Sequence, residues 1–167
     1  MKKNKALLVL LIGILSMYLA ACGKDEVKPK AIDEDKDECD ICNMAVMDNQ
    51  FATEIILENG KTYVFDDIGC MYQWMSENKD KKVKAKFVRD YNTKDWVELD
   101  KATYVYNPDV NTPMAYNVIS FADKKDAESF VTKKKGTILS AKDLDQHEWN
   151  MNKDMMKKNS KDSKMDM

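Results

Sequence analysis

Three cysteines and a methionine carry the reactive chemistry that this sequence offers. Cys39-Asp40-Ile41-Cys42-Asn43-Met44 sets two thiols in a C-x-x-C spacing, with a thioether two residues further on. A turn of that length brings two sulfurs close enough to chelate one metal ion or to join as a disulfide. Met44 bears on the choice, because a thioether is a poor ligand for zinc and a good one for Cu(I). The third thiol is Cys70, in Phe65-Asp66-Asp67-Ile68-Gly69-Cys70-Met71. Asp66-Asp67 reads as a helix N-cap. With Asp67 as the capping residue, Cys70 falls at the third helical position, where a helix N-terminus favours thiolate over thiol. Gly69 leaves the approach to that sulfur open. Cys70 lies opposite the face formed by Ile68, Met71, Tyr72 and Met75, so it is expected to be accessible.

Other uses of these sulfurs remain open at this level. Cys39 and Cys42 can form a structural disulfide outside the cytoplasm, which leaves Cys70 without a partner. Three cysteines with an aspartate or His147 can hold structural zinc. A thiol–disulfide oxidoreductase also uses C-x-x-C, but at the head of a long helix that follows a buried strand. Here Asp33–Asp40 is mostly acidic and no helical period follows Cys42. Met71 recurs at core spacing and is a lower-grade ligand candidate. Met114 follows Pro113 in a loop, where a core role is less compelled. With 12 Met, four Cys and a single His, chemistry that needs several histidines is excluded. The 27 basic residues against 29 acidic ones also argue against nucleic-acid binding through a basic surface.

The N-terminus sets the compartment. Lys2, Lys3 and Lys5 precede an apolar run of 15 residues, Ala6 to Ala20. A bilayer span needs roughly 18–20, so the run reads as a signal segment. It ends Leu19-Ala20-Ala21-Cys22. This resembles the lipobox of bacterial lipoproteins, which implies cleavage after residue 21 and acylation of Cys22. Two or more acyl chains make such anchoring stable. Cleavage removes three lysines and no acid, moving the formal net charge from −2 to −5. Residues 22–36 are charged and almost free of large apolar groups, as expected for a flexible tether.

The remaining chain must build the elements that position the thiols. Phe51–Glu58 and Lys61–Asp66 are β-rich and flank Asn59-Gly60, a strong hairpin signal. Helical spacing runs through 67–78, and Lys82–Val88 alternates as a strand. The second half repeats this order. Thr103–Tyr106 and Tyr116–Phe121 read as strands, Asp123 caps a helix ended by Gly136, and Thr137–Leu139 is a short strand. A short strand at Trp96–Leu99 falls in the connection. The fold class expected is α+β: one domain over 37–143 made of two diverged β-β-α-β units, with approximate halves 37–88 and 103–143. Residues 144–167 hold His147, Trp149 and five Met in a polar context, and read as a disordered, Met-rich tail with some helical character over 144–158.

Taken together, Cys39-x-x-Cys42-x-Met44, Tyr63-Val64-Phe65-Asp66-Asp67-Ile68-Gly69-Cys70-Met71, Thr112-Pro113-Met114, Ile119-Ser120-Phe121-Ala122-Asp123 and Ala127-Glu128-Ser129-Phe130 resemble the NosL family. The likeness covers about residues 37–143. It implies two β-β-α-β modules and a lipid-anchored, non-enzymatic Cu(I) chaperone. Such a protein delivers copper to apo nitrous oxide reductase or another copper enzyme outside the cytoplasm, alongside an ABC-type membrane complex. On that reading Cys39, Cys42 and Cys70 are the thiolate donors, Met44 the thioether, and Met71 and Met114 further candidates. Asn43 departs from the glycine that family members often carry there.

Overall fold

The structure, a computed structural model, describes residues 27–155 and 157. The signal segment, the acylation candidate Cys22, and Met156, Met165 and Met167 lie outside the described residues.

Strands β1 (Thr53–Leu57) and β2 (Thr62–Phe65) form an antiparallel hairpin in which Ile55 faces Tyr63. Its turn holds Gly60 at φ 84°, a conformation that glycine adopts without a Cβ penalty. Helix α1 (Ile68–Glu77) follows, and the Asp67 carboxylate caps it by accepting from the Gly69 N–H at 3.0 Å. Strand β3 (Val83–Arg89) returns on the other side of β1, and β4 (Trp96–Glu98) pairs with β3 at the edge. The sheet order is therefore β2-β1-β3-β4. Every residue of β1 is buried, which explains why it reads as a continuous apolar run rather than an alternating one.

After a 3-10 turn at Leu99–Lys101 the pattern repeats. Strand β5 (Thr103–Tyr106) pairs with β6 (Val118–Phe121) on one side and β7 (Thr137–Ser140) on the other, giving the order β6-β5-β7. Helix α2 (Lys124–Lys134) connects β6 to β7 and is capped by Asp123. In both halves the first strand is central, the second forms a hairpin with it, and the strand after the helix pairs with its free side. The two β-β-α-β units share one topology. They are joined where β3 ends: Ser120 donates its hydroxyl to the Arg89 carbonyl at 2.6 Å, and the Tyr91 N–H donates to the Ser120 carbonyl at 2.8 Å.

Two flanking segments are more ordered than composition suggests. The Lys30 N–H donates to both oxygens of Glu54 at 3.1 Å, Ile32 packs on the core, and the Asp37 carbonyl accepts from the Val46 N–H, so this segment is tied to the domain. The region from Leu144 onward, expected to be disordered, packs over its described length. Leu144 closes the short helix α3 (Ala141–Leu144) with no exposed surface. Trp149 stacks on Tyr72 with centroids 4.5 Å apart and meets Tyr116 edge-on at 6.0 Å. The Asn152 N–H donates to the Ala115 carbonyl at 2.8 Å. A few large apolar side chains suffice to dock a polar segment, because each aromatic buries much area at little cost in side-chain entropy. Among the described residues, no helix is long and apolar enough to cross a membrane.

Candidate metal centre

The C-x-x-C segment forms a tight loop closed by its own backbone. The Cys39 N–H donates to the Met44 carbonyl at 2.8 Å, the Asn43 N–H returns to the Cys39 carbonyl at 2.9 Å, and Glu38 bridges to Ala45. Asn43 sits at φ 58°. That left-handed position suits glycine, and asparagine is among the few other residues that tolerate it, so the departure at residue 43 preserves the turn. The motif does not head a helix, which removes the dipole on which a thioredoxin-like site depends.

This loop lies beside the β2–α1 junction. The Asp40 N–H donates to the Val64 carbonyl at 3.4 Å, and Cys42 Sγ donates to Asp66 Oδ1, also at 3.4 Å. The first turn of α1 supplies Cys70. One ligand atom from each of Cys39, Cys42, Asp66 and Cys70 lies within 4.8 Å of all the others. None of the three cysteines is disulfide-bonded.

The cluster is sealed on most sides. Cys39 and Cys70 are each 1% exposed, and only Cys42 reaches the surface in part. The expectation that Cys70 is accessible is therefore wrong. Helical periodicity marks one covered side of α1, but the first turn is covered on two, by the β2 side and by the 112–117 loop. Gly69 does not leave an opening either. The Tyr116 ring lies over it so closely that a Cβ there would stand 2.1 Å from ring carbons.

Electrostatics concentrate negative charge on one sulfur. Cys39 is brought well below the usual thiol range, first by the hydrogen bond from Cys70 and then by N–H groups of Cys42, Asp66 and Ile41, against the cost of burial. Cys42 is pushed up, chiefly by burial and further by the charges of Asp66 and Cys39. Cys70 is pushed up because it donates to Cys39, and by burial. Asp66 rises to about 6, from burial first and the Cys39 charge second. Hydrogen bonding thus favours the thiolate form at Cys39, while burial and neighbouring charge favour the thiol form at Cys42 and Cys70. Asp66 Oδ2 is buried and has no hydrogen-bond partner. An unpaired buried carboxylate oxygen is costly, and its position among three thiols fits a cation held there.

The other candidates separate. Met44 is 53% exposed, and its N–H bonds to Cys42 Sγ. Met114 is half-buried against the core, and its N–H donates to Asp67 Oδ2 at 3.0 Å. Met71 is fully buried in the core. His147 lies against Tyr106 and Trp149 and is not part of the cluster. Asp66 is the residue that sequence reasoning misses, since the Asp66-Asp67 pair reads locally as a helix cap. The available signal was the pair of adjacent acids: one caps the helix, and the second is left to face the thiols.

The fold and cluster describe a small, two-module protein in which three thiols and a carboxylate gather at a largely buried candidate metal site. A family model described as NosL matches residues 29–149, and the chain belongs to the NosL family. It is similar to the copper-binding lipoprotein NosL of Stutzerimonas stutzeri, with 24% identity over 150 residues, covering 82% of this chain and 79% of that protein. Its fold matches the crystal structure of the copper chaperone NosL from Shewanella denitrificans with a TM-score of 0.59 and 22% identity. That match covers 68% of this chain and 92% of the other.

Proposed function

We propose that the protein is a membrane-tethered, extracytoplasmic Cu(I) chaperone that delivers copper to a copper enzyme, with apo nitrous oxide reductase as the leading recipient. The observation that carries this reading is the convergence of Cys39, Cys42 and Cys70 with Asp66 inside 4.8 Å. Cu(I) is soft and prefers few sulfur donors, whereas a carboxylate contributes little to it beyond charge. Cys39, whose surroundings favour the thiolate, makes the first bond. Cys42, the one partly exposed thiol, is the sulfur at which an incoming partner ligand exchanges. Met44 and Met114 are the thioethers available to complete the shell from outside, and Met71 stays in the core. Cys22 carries the lipid, and an ABC-type membrane complex is the associated machinery.

A second reading has its own support. Three thiols and the unpaired Asp66 oxygen also make a four-donor set suited to tetrahedral Zn(II). Transfer separates the two. The Cu(I)-loaded protein is mixed anaerobically with apo nitrous oxide reductase, and enzyme activity is followed. Activity appearing with the loaded protein, and not with its Cys42→Ser variant, is the expected result. Zn(II) retained against Cu(I), with no copper transferred, would replace this reading by a structural zinc site. For the anchor, Cys22→Ser is expected to release the protein from the membrane fraction or leave it unprocessed. Normal processing and retention of that variant would contradict acylation at Cys22.

A further inference from the structure

We infer that Asp67 is a positioning residue that holds the Met114 loop of the second module against the thiol-bearing helix of the first, so that Met114 joins the copper shell. This rests on the Cu(I) reading given above. Asp67 is 1% exposed and its carboxylate serves two modules at once. Oδ1 accepts from the Gly69 N–H at 3.0 Å, in the turn that carries Cys70. Oδ2 accepts from the Thr112 hydroxyl at 2.7 Å and from the Met114 N–H at 3.0 Å. These two partners lie 45 and 47 residues away in sequence.

A helix cap alone needs only the first of these bonds. The other two fix a loop whose conformation is otherwise unfavourable. Ala115 at φ 56° and Asn117 at φ 61° are both left-handed without being glycine. Such residues persist where the surroundings over-determine them, and they gather at functional sites. Thr112 adds to the restraint by accepting from the Asn117 N–H at 3.1 Å. The loop so held places Tyr116 over Gly69, next to Cys70, and lodges Met114 half-buried against the core that contains Cys39 and Cys70. Second-module residues are thereby brought to a site whose thiols all come from the first. Met44 is largely solvent-exposed and Met71 is buried in the core, so Met114 is the half-buried thioether that the second module contributes.

The test uses the chain from residue 22 onward with Cys22→Ser as background. Asp67→Asn keeps an oxygen for the Gly69 N–H but presents an amide where Thr112 and Met114 donate. Thr112→Val removes the two hydrogen bonds of the Thr112 hydroxyl, to Asp67 Oδ2 and from the Asn117 N–H, and leaves the cap intact, which keeps the test available if Asp67→Asn does not fold. Cu(I) affinity is measured by competition with a chromophoric chelator, and sulfur coordination by X-ray absorption at the copper edge. Asp67→Asn, Thr112→Val and Met114→Leu are each expected to weaken Cu(I) binding, Asp67→Asn by about tenfold, and to remove a sulfur from the shell. Combining Asp67→Asn with Met114→Leu is expected to cost no more than the larger single change. Unchanged affinity and sulfur count in Asp67→Asn and Thr112→Val, or fully additive losses in the double variant, would overturn the inference while leaving the chaperone reading intact. Absence of Cu(I) binding by the background chain would overturn both.

Discussion

Cys42 donates its thiol proton to Asp66 Oδ1 at 3.4 Å, across 24 residues of sequence. The bond joins the C-x-x-C loop to the residue just before the helix cap, and it makes two separate motifs into one site. Burial is the main reason that the Cys42 thiol is pushed up, and the Asp66 charge adds to it. Asp66→Asn keeps the shape and removes the charge. The Cys42 thiol is expected to titrate at lower pH in this variant, read from the ultraviolet absorbance of the thiolate in the apo protein. An unchanged titration would remove Asp66 from the electrostatics of the site.

Gly69→Ala tests how tightly the second module covers the first turn of α1. The added methyl would meet the Tyr116 ring at 2.1 Å, so the ring or the helix must move. Overpacking of this kind typically costs about 1–3 kcal/mol. The denaturant midpoint is expected to fall accordingly. A variant as stable as the wild type would show that the ring yields freely.

Glu54, buried on β1, gives the protein a pH-dependent stability. Burial pushes its carboxyl up to about 7, partly offset by the Lys30 N–H and charge. A folded-state pKa above the unfolded one means that the folded protein binds this proton more tightly. The stabilisation is therefore complete below the unfolded carboxyl range, near 4.5, and is lost as pH rises through about 7. The difference amounts to at most ~3 kcal/mol. Glu54→Gln is expected to flatten the decline of Tm between pH 4.5 and 7.5. An identical pH profile in the variant would place the decline elsewhere.

Trp149→Ala addresses the segment after Leu144. Loss of the stack on Tyr72 and the edge contact with Tyr116 is expected to cost about 2 kcal/mol in thermal or denaturant unfolding. Stability equal to wild type would mean that the segment docks without supporting the domain.

Much of the architecture was legible because local signals agreed with tertiary need. The Asn59-Gly60 turn, the Asp67 and Asp123 caps and the repeated order of elements all appear where the residues suggest, with boundaries shifted by one or two positions. The thiol motifs were legible, but their union was not, since nothing local brings the 39–44 loop to the first turn of α1. Cys70 looked exposed because helical periodicity describes one buried face and is silent about loops that wrap a helix end. Asp66 was hidden by an adequate local explanation as a cap. The docking of 144–155 was hidden by composition, which averages over the few aromatic residues that anchor it.

The central claim is that Cys39, Cys42 and Cys70 form one Cu(I) site. Anaerobic Cu(I) titration of the reduced, unlipidated chain against a chromophoric chelator tests it most directly. The account predicts one tightly bound Cu(I) per chain, with sulfur-to-copper absorption, and a large loss of affinity in each of Cys39→Ser, Cys42→Ser and Cys70→Ser. Failure to compete with the chelator at micromolar concentration, or full affinity in the Cys70→Ser variant, would contradict it.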